Sequence, residues 1–403
     1  MRTFPKIHIT PKGEKALRGG HLWVYSDEVT DIGDSTENGC LVDVYSAKSR
    51  FLGTGFYNDN SKIRVRIVSR NANDKFDRAF WGRRIRYALD YRRTVMAEDF
   101  QCCRLIFGEA DSFPGLTVDR FGDVLVTQVL SLGIEKIKEM LYELLAETLK
   151  EMGEPITAIY ERSDVKIREL EGMQQYKGFW CGLRTDLPGV AEITENGIKY
   201  EVDYVKGQKT GFFLDQKYNR MAIRRIARGR TVLDCFTHTG AFALNAAAGG
   251  ARLVNAVDIS EDAIEMTKKN AALNGFTNMQ FTAANVFDLL TELYKAGNSP
   301  YDFIILDPPA FTKSSGTVRN AIRGYKEINL KAMRLLPRGG YLATCSCSHF
   351  MTEPLFRQML HDAAADAEVS LRQIEARQQS PDHPILWNVP ETDYLKFFIF
   401  QVV

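Results

Sequence analysis

Two short apolar runs joined by a helical stretch constrain this chain most. Residues 301–311 read YDFIILDPPAF and residues 339–350 read GGYLATCSCSHF. Phe303–Leu306 and Tyr341–Thr344 are bounded by turn residues, as buried strands are, and Ile328, Leu330, Met333, Leu335 and Leu336 recur between them at helical spacing. A strand-helix-strand unit of this kind builds an open parallel sheet, whose ligands gather at the carboxyl ends of the strands. Those ends carry Asp307-Pro308-Pro309-Ala310-Phe311 on one strand and Cys345-Ser346-Cys347-Ser348 on the next. A carboxylate, a rigid turn and a thiol are therefore expected at one crevice.

The alternation of strand and helix extends from about residue 201 to the end, with strands expected at Thr231–Cys235, Leu253–Val257, Met279–Thr282, 303–306, 341–344, about 368–375 and Leu395–Gln401. That is an α/β, doubly wound pattern. A chain of 403 residues is too long for one core, and the sequence ahead of it divides in two. Residues 1–72 read as a small β-rich domain. Residues 73–200 read as a central α+β domain, with a hairpin at Gly122-Asp123 and a helix along Ile134, Ile137, Leu141, Leu145 and Leu149. The remainder, 201–403, is the doubly wound domain.

With 52 basic against 51 acidic residues, any footprint for a polyanion must be local. Lys62, Arg64 and Arg66 alternate onto one strand face, and residues 62–93 hold 11 Lys or Arg against three Asp, a stripe suited to phosphate or simply to solvent. No apolar run approaches a membrane span or a secretory leader, so a cytoplasmic protein with no membrane partner is expected. The odd count of seven cysteines without a C-x-x-C pair points to thiols in a reducing compartment and to no metal site.

The first strand of the last domain ends in Asp234, followed by Phe236, Thr239 and Gly240, and the next ends 18 residues after that glycine in Asp258. A glycine turn opening a helix, with an acid about 20 positions on, suits a ribose. Since G-x-G-x-x-G is absent, a nucleoside without phosphates fits better than a dinucleotide. S-adenosylmethionine is such a ligand, with Asp234 toward its ammonium and Asp258 toward its ribose hydroxyls. An ordinary strand-turn-helix would look alike. Pro308 and Pro309 fix the backbone so that Asp307 and Phe311 are presented in a set geometry, as an enzyme holding a flipped base requires. Cys347 is the candidate nucleophile: C5 of cytosine attacks a methyl group only after a thiolate has added at C6. His349 stands close enough in sequence to assist it. Cys345 and Cys235, deeper in their strands, read as small buried hydrophobes.

These residues resemble the large-subunit ribosomal RNA methyltransferase I family over nearly the whole chain. The resemblance is carried by Lys12-Gly13-Glu14-Lys15 through His21-Leu22-Trp23-Val24-Tyr25-Ser26, by GQKTGFFLDQ at 207–216, by Asp307–Phe311, Arg323-Gly324-Tyr325-Lys326, Ser346-Cys347-Ser348 and Asp382-His383-Pro384. It implies an N-terminal PUA domain, a central α+β domain and a Rossmann-like class I methyltransferase domain making 5-methylcytosine in 23S ribosomal RNA. By the same resemblance Cys347 is the nucleophile, and Thr210, Gly211, Phe212, Asp215, Gln216, Asp234, Gly240 and Asp258 line the cofactor site. Phe236, Thr239 and Asp307 join that site as its immediate neighbours. Two positions depart from the pattern: Asn285 stands where the family usually has Asp near the adenine, and Ala310 replaces the Lys of D-P-P-K-F; unlike 5-methylcytosine enzymes with a second cysteine beside the prolines, this chain has none there. The implied partner is ribosomal RNA, and a homodimer stays open. Two other readings stay open as well: an amino-group or ring-nitrogen methyltransferase using the Asp-Pro-Pro turn with Cys347 structural, and an RNA-binding protein that no longer turns over.

Overall fold

The computed structural model describes residues 4–403 except 298 and 313, and the chain divides into two compact units. The first comprises Met1–Ile193, Val202–Leu214 and Pro381–Thr392; the second comprises Thr194–Glu201, Asp215–Ser380 and Asp393–Val403.

The first unit holds two sheets. One has six strands, in spatial order Trp23–Tyr25, Ile63–Ser69, Phe51–Tyr57, Leu41–Ser46, Lys6–Ile9 and Val29–Ile32. Alternate positions supply its core: Ile7, Ile9, Val42, Val44, Val65 and Ile67 are buried. The helix Pro11–Arg18 starts where Thr10 Oγ1 accepts from Gly13 N, with proline in its first turn. The other sheet has five strands, in order Tyr176–Phe179, Ala158–Ser163, Val124–Val129, Leu116–Phe121 and Cys102–Phe107. Its expected hairpin turns at Gly122, whose φ is 65°. A helix along Arg78–Val95 begins where Asp77 caps it by accepting from Phe80 N.

In the second unit we number the strands β1 (Thr231–Cys235), β2 (Leu253–Asp258), β3 (Met279–Ala283), β4 (Phe303–Leu306), β5 (Tyr341–Ser346), β6 (Leu371–Arg377) and β7 (Lys396–Val402). The helices are α1 (Ala241–Ala248), α2 (Glu261–Leu273), α3 (Val286–Ala296), α4 (Val318–Leu335) and α5 (Glu353–Asp366). The sheet order is β3-β2-β1-β4-β5-β7-β6; β1 to β5 are parallel, and β7 runs antiparallel to both β5 and β6. Both faces are covered, so successive residues feed two cores. Leu233, Ile304, Leu306 and Leu342 pack with α4 and α5 residues such as Ile328 and Phe356, while Val232, Phe303, Ile305 and Ala343 pack with Phe242 and Ala246 of α1. The topology reverses between β1 and β4, which puts the ends of β1, β2, β4 and β5 around the switch point where such sheets bind ligands.

Candidate active site

The tip of β1 is an unusual backbone. Phe236, His238 and Gly240 have φ of 64°, 51° and 85°, so three alternate residues are left-handed, two of them without the freedom of glycine. The turn curls over Asp234, which is fully buried. Asp234 Oδ2 accepts from Thr237 Oγ1 at 2.6 Å, while its Oδ1 and Thr239 Oγ1 are buried without a hydrogen-bond partner among the described residues. Asp258 closes β2: its Oδ2 accepts from His238 N and its Oδ1 from Ser260 N, both at 3.0 Å. Asn285 caps α3, accepting from Phe287 N at 2.9 Å, so its amide oxygen already holds a helix start as an aspartate there would.

At the end of β4, Asp307 Oδ1 accepts from the Cys345 thiol at 2.9 Å and from Gln216 Nε2 at 3.3 Å. Gln216 also reaches Cys345 Sγ at 3.4 Å and is fixed by Asn219 Nδ2, which donates to its Oε1 at 2.7 Å. Asp215 Oδ2 accepts from Tyr394 Oη at 2.6 Å. Three carboxylates thus share one neighbourhood. Burial raises the Asp234 carboxyl to about 8, with Asp307 adding to the rise. Burial likewise raises Asp307 to about 6, the Cys345 hydrogen bond opposing and Asp215 reinforcing it. Arg220 acts on Asp307, but its guanidinium is buried and forked onto Glu195 at 2.7 Å for both contacts. Among the described residues neither Asp234 nor Asp307 forms an ion pair with a cation.

S-adenosylmethionine carries two positive centres, an ammonium and a sulfonium. The donor set fits it: unpaired acceptor capacity on Asp234, a hydroxyl at Thr239 without a partner, and a glycine at 240 where a Cβ would already meet Thr267 Cγ2 at 2.5 Å.

Cys345 and Cys347 separate as their positions imply. Cys345 is buried in β5 with its thiol raised well above the ordinary range by burial and by Asp307. Cys347 is the first residue beyond β5 and is half-exposed. The Pro308-Pro309 turn has Pro308 buried and Pro309 exposed. Phe311 is engaged more than expected for a base-stacking platform: its ring lies 4.5 Å from that of Tyr325 and 5.9 Å from that of Phe287. Tyr325, from the Arg323–Lys326 motif, is itself a fully buried prop whose hydroxyl accepts from Ser346 Oγ at 3.0 Å. His349 has a buried Nδ1 with no partner, and its ring meets Phe350 edge-on.

Other expected residues fall in the first unit. Thr210, Gly211 and Phe212 lie there, Thr210 donating to Asp119 at 2.6 Å, and the 207–216 motif is divided at Leu214. Asp382 and His383 also lie there, bonded to each other at 2.9 Å, with Asp382 Oδ2 accepting from Arg104 N. The basic strand face is not open. Arg66 is paired with Glu109 at 3.2 Å and Glu171 at 2.9 Å, and Arg64 with Asp59 at 2.9 Å, leaving Lys62 exposed. Instead, a groove of about 700 Å³ gathers Lys15, Arg18, Lys48 and Arg50 with Glu14. Sequence reasoning missed it because a helix and a turn some 30 residues apart build it. It missed Tyr394, Asn219 and Lys396 for the same reason.

Among the described residues no helix is long and apolar enough to cross a membrane, and no group of three or more His, Cys, Asp or Glu could hold a metal. The sheet order, the reversal at β1 and β4 and the acids at the strand ends define an S-adenosylmethionine-dependent methyltransferase. That family matches residues 142–401, and the PUA-like domain matches residues 7–70. The chain is 40% identical over 401 residues to Ribosomal RNA large subunit methyltransferase I of Shewanella denitrificans, covering 98% of this chain and 99% of that protein. It is 38% identical over 403 residues to the protein of the same name from Klebsiella pneumoniae, covering 99% of each. The chain belongs to the large-subunit ribosomal RNA methyltransferase I family. A solved structure from Streptococcus mutans, proposed to be an S-adenosylmethionine-dependent methyltransferase, superposes with a TM-score of 0.82 at 23% identity, covering 98% of this chain and all of that one; it attests the fold.

Proposed function

We propose that this protein transfers a methyl group from S-adenosylmethionine to C5 of a cytosine in 23S ribosomal RNA through a covalent bond between Cys347 and C6 of the base. The observation that carries the covalent step is the contrast at the end of β5, where Cys345 is a buried thiol donating to Asp307 and Cys347 is half-exposed just past the strand. The bound cofactor supplies an electrophilic methyl group. The Cys347 thiolate would add to C6, the electron pair of the C5–C6 bond moving to C5, which takes the methyl as the methyl–sulfur bond breaks and a neutral thioether leaves. Loss of the C5 proton then restores the double bond and expels the thiolate. Asp307, held near 6, is suited to share a proton with the base edge as charge builds on the ring. Asp215, Gln216, Asp234, Phe236, Thr239, Gly240 and Asp258 would hold the cofactor, with Thr210, Gly211 and Phe212 joining from the rest of their motif. Pro308, Pro309 and Phe311 would border the base.

Ribosomal RNA as substrate is supported by the names of the relatives, by the PUA-like domain and by the basic groove within it. On this reading residues 1–72 bind RNA, 73–200 connect and 201–403 catalyse. The test is nucleoside mass spectrometry of ribosomal RNA from a strain lacking the protein and from its parent. One 5-methylcytosine should disappear. Loss of an N-methylated nucleoside instead would move the reading to nitrogen methylation.

A further inference from the structure

Lys396 opens β7 and pairs across the antiparallel ladder with Ser346, the last residue of β5. Its side chain is buried, and its ammonium donates to the carbonyl oxygens of Ser348 at 2.6 Å and Tyr394 at 2.8 Å. No carboxylate among the described residues lies within ion-pair distance of it. A dry ammonium held only by neutral carbonyls is a costly way to fasten two strands, and an apolar residue would do that work more cheaply. Its place gives the cost a use, because the carbonyl it grips belongs to the residue directly after Cys347.

The charges acting on this ammonium are, in order, Cys347, Asp393, Glu353 and Cys345. Glu353 is already met by Arg357 at 2.6 Å, Asp393 accepts from Gln378, and Cys345 is held as a thiol by Asp307. The Cys347 sulfur stands first in that order, and it lies one residue ahead of the carbonyl that the ammonium grips.

We propose that Lys396 is a positioning residue for Cys347: its ammonium fixes the Cys347-Ser348 segment through the Ser348 carbonyl and favours the thiolate of Cys347 over the thiol. The proposal rests on reading Cys347 as the nucleophile. Burial lowers the Lys396 ammonium to about 8, the charge of Cys347 opposing that fall. Below that pH the cation is present and the thiolate is favoured; above it the amine is neutral and the help is lost. The dependence is reciprocal, since each group of a coupled pair sets the protonation of the other.

The test needs neither RNA nor methyl transfer. Iodoacetamide labelling of Cys347, read by peptide mass spectrometry across pH 5 to 10, gives the midpoint at which the thiolate appears. Lys396→Met should move that midpoint up by about one unit or more, the scale of an opposite charge nearby, and Lys396→Arg should restore most of the shift. Should Lys396→Met fail to fold, Cys347→Ala serves in its place: competitive acetic anhydride labelling should then find the Lys396 amine reactive at lower pH than in the parent. Equal midpoints in folded parent and variants, or a shift seen only in His349→Ala, would overturn the role. A product other than 5-methylcytosine would sink the proposed reaction while leaving the measured coupling in place.

Discussion

The Cys345 thiol donates a hydrogen bond to Asp307 Oδ1 at 2.9 Å. A sulfur that gives its proton to a half-buried carboxylate is held as a thiol, so the cysteine inside β5 is excluded as nucleophile by the same contact that steadies the acid at the end of β4. With RNA carrying 5-fluorocytosine at the target there is no C5 proton to lose, and the parent enzyme should be trapped in an adduct that survives denaturing electrophoresis. Cys345→Ala should keep the adduct at a cost of about 1–2 kcal/mol in stability for the lost hydrogen bond and packing. Cys347→Ala should give none. An adduct in Cys347→Ala would end the covalent assignment.

The strands of the second unit were legible because each is a short apolar run bounded by turns, and the expected and observed bounds differ by at most about three residues. Asp234, Asp258 and Asp307 were legible for the same reason, as the first polar residues at strand ends. The first unit was harder. Lys6–Ile9, Trp23–Tyr25 and Val29–Ile32 are too short for a period of two to stand out, and pairing with strands distant in sequence defines them. Arg66 misled because alternation reports the face of a strand and not what packs there; Glu109 and Glu171 come from 43 and 105 residues away. Lys396 was unreadable for a similar reason, since its contact with Ser348 is set by the β5-β7 register.

Cofactor binding should release protons. Without a cation Asp234 keeps its proton to about pH 8 and Asp307 to about pH 6; both lie above the unfolded carboxyl value of 3.8, so their contribution to stability is full below that value and is lost as pH rises through 6 and 8. S-adenosylmethionine reverses the sign by stabilising the carboxylates, so its affinity should rise with pH across the same window. Calorimetry at pH 7 in buffers of different ionisation enthalpy should find a release approaching one proton, and Asp234→Asn should abolish most of it. Binding without proton exchange would place the cofactor's cations elsewhere.

RNA binding should follow the groove and not the strand face. Neutralising Lys15 or Lys48 by substitution with Gln should flatten the log-log salt dependence of RNA affinity by about one unit each if each contacts a phosphate. Arg66→Ala should act on the fold instead, costing roughly 3 kcal/mol by leaving the buried Glu171 carboxylate with Ser61 and Asn58 but without the Arg66 cation. Filter binding over a salt series, beside urea denaturation, separates the two. An unchanged slope in both lysine variants would return the groove to ordinary solvated surface.

Gly240→Ala tests whether the strained turn over Asp234 is itself the cofactor cradle. At φ 85° an alanine would bear the left-handed penalty, and its Cβ would also press on Thr267 Cγ2 at 2.5 Å and Leu244 Cδ1 at 2.7 Å. Thr267 is held on both sides, because its hydroxyl is shared between the Ala263 carbonyl of α2 at 2.9 Å and the His238 carbonyl of the turn at 3.0 Å. The displacement therefore passes to His238, whose amide donates to Asp258. Gly229 is the control: its φ is 72°, but a Cβ there meets nothing within 4 Å. Both variants should lose about 1–2 kcal/mol to backbone strain by chemical denaturation. Only Gly240→Ala should also weaken S-adenosylmethionine, by about tenfold, or about 1.4 kcal/mol, in calorimetry. If it binds the cofactor as the parent does while losing the same stability as Gly229→Ala, the left-handed residues at 236, 238 and 240 serve the fold alone, and the ligand must be held by the acids without the turn.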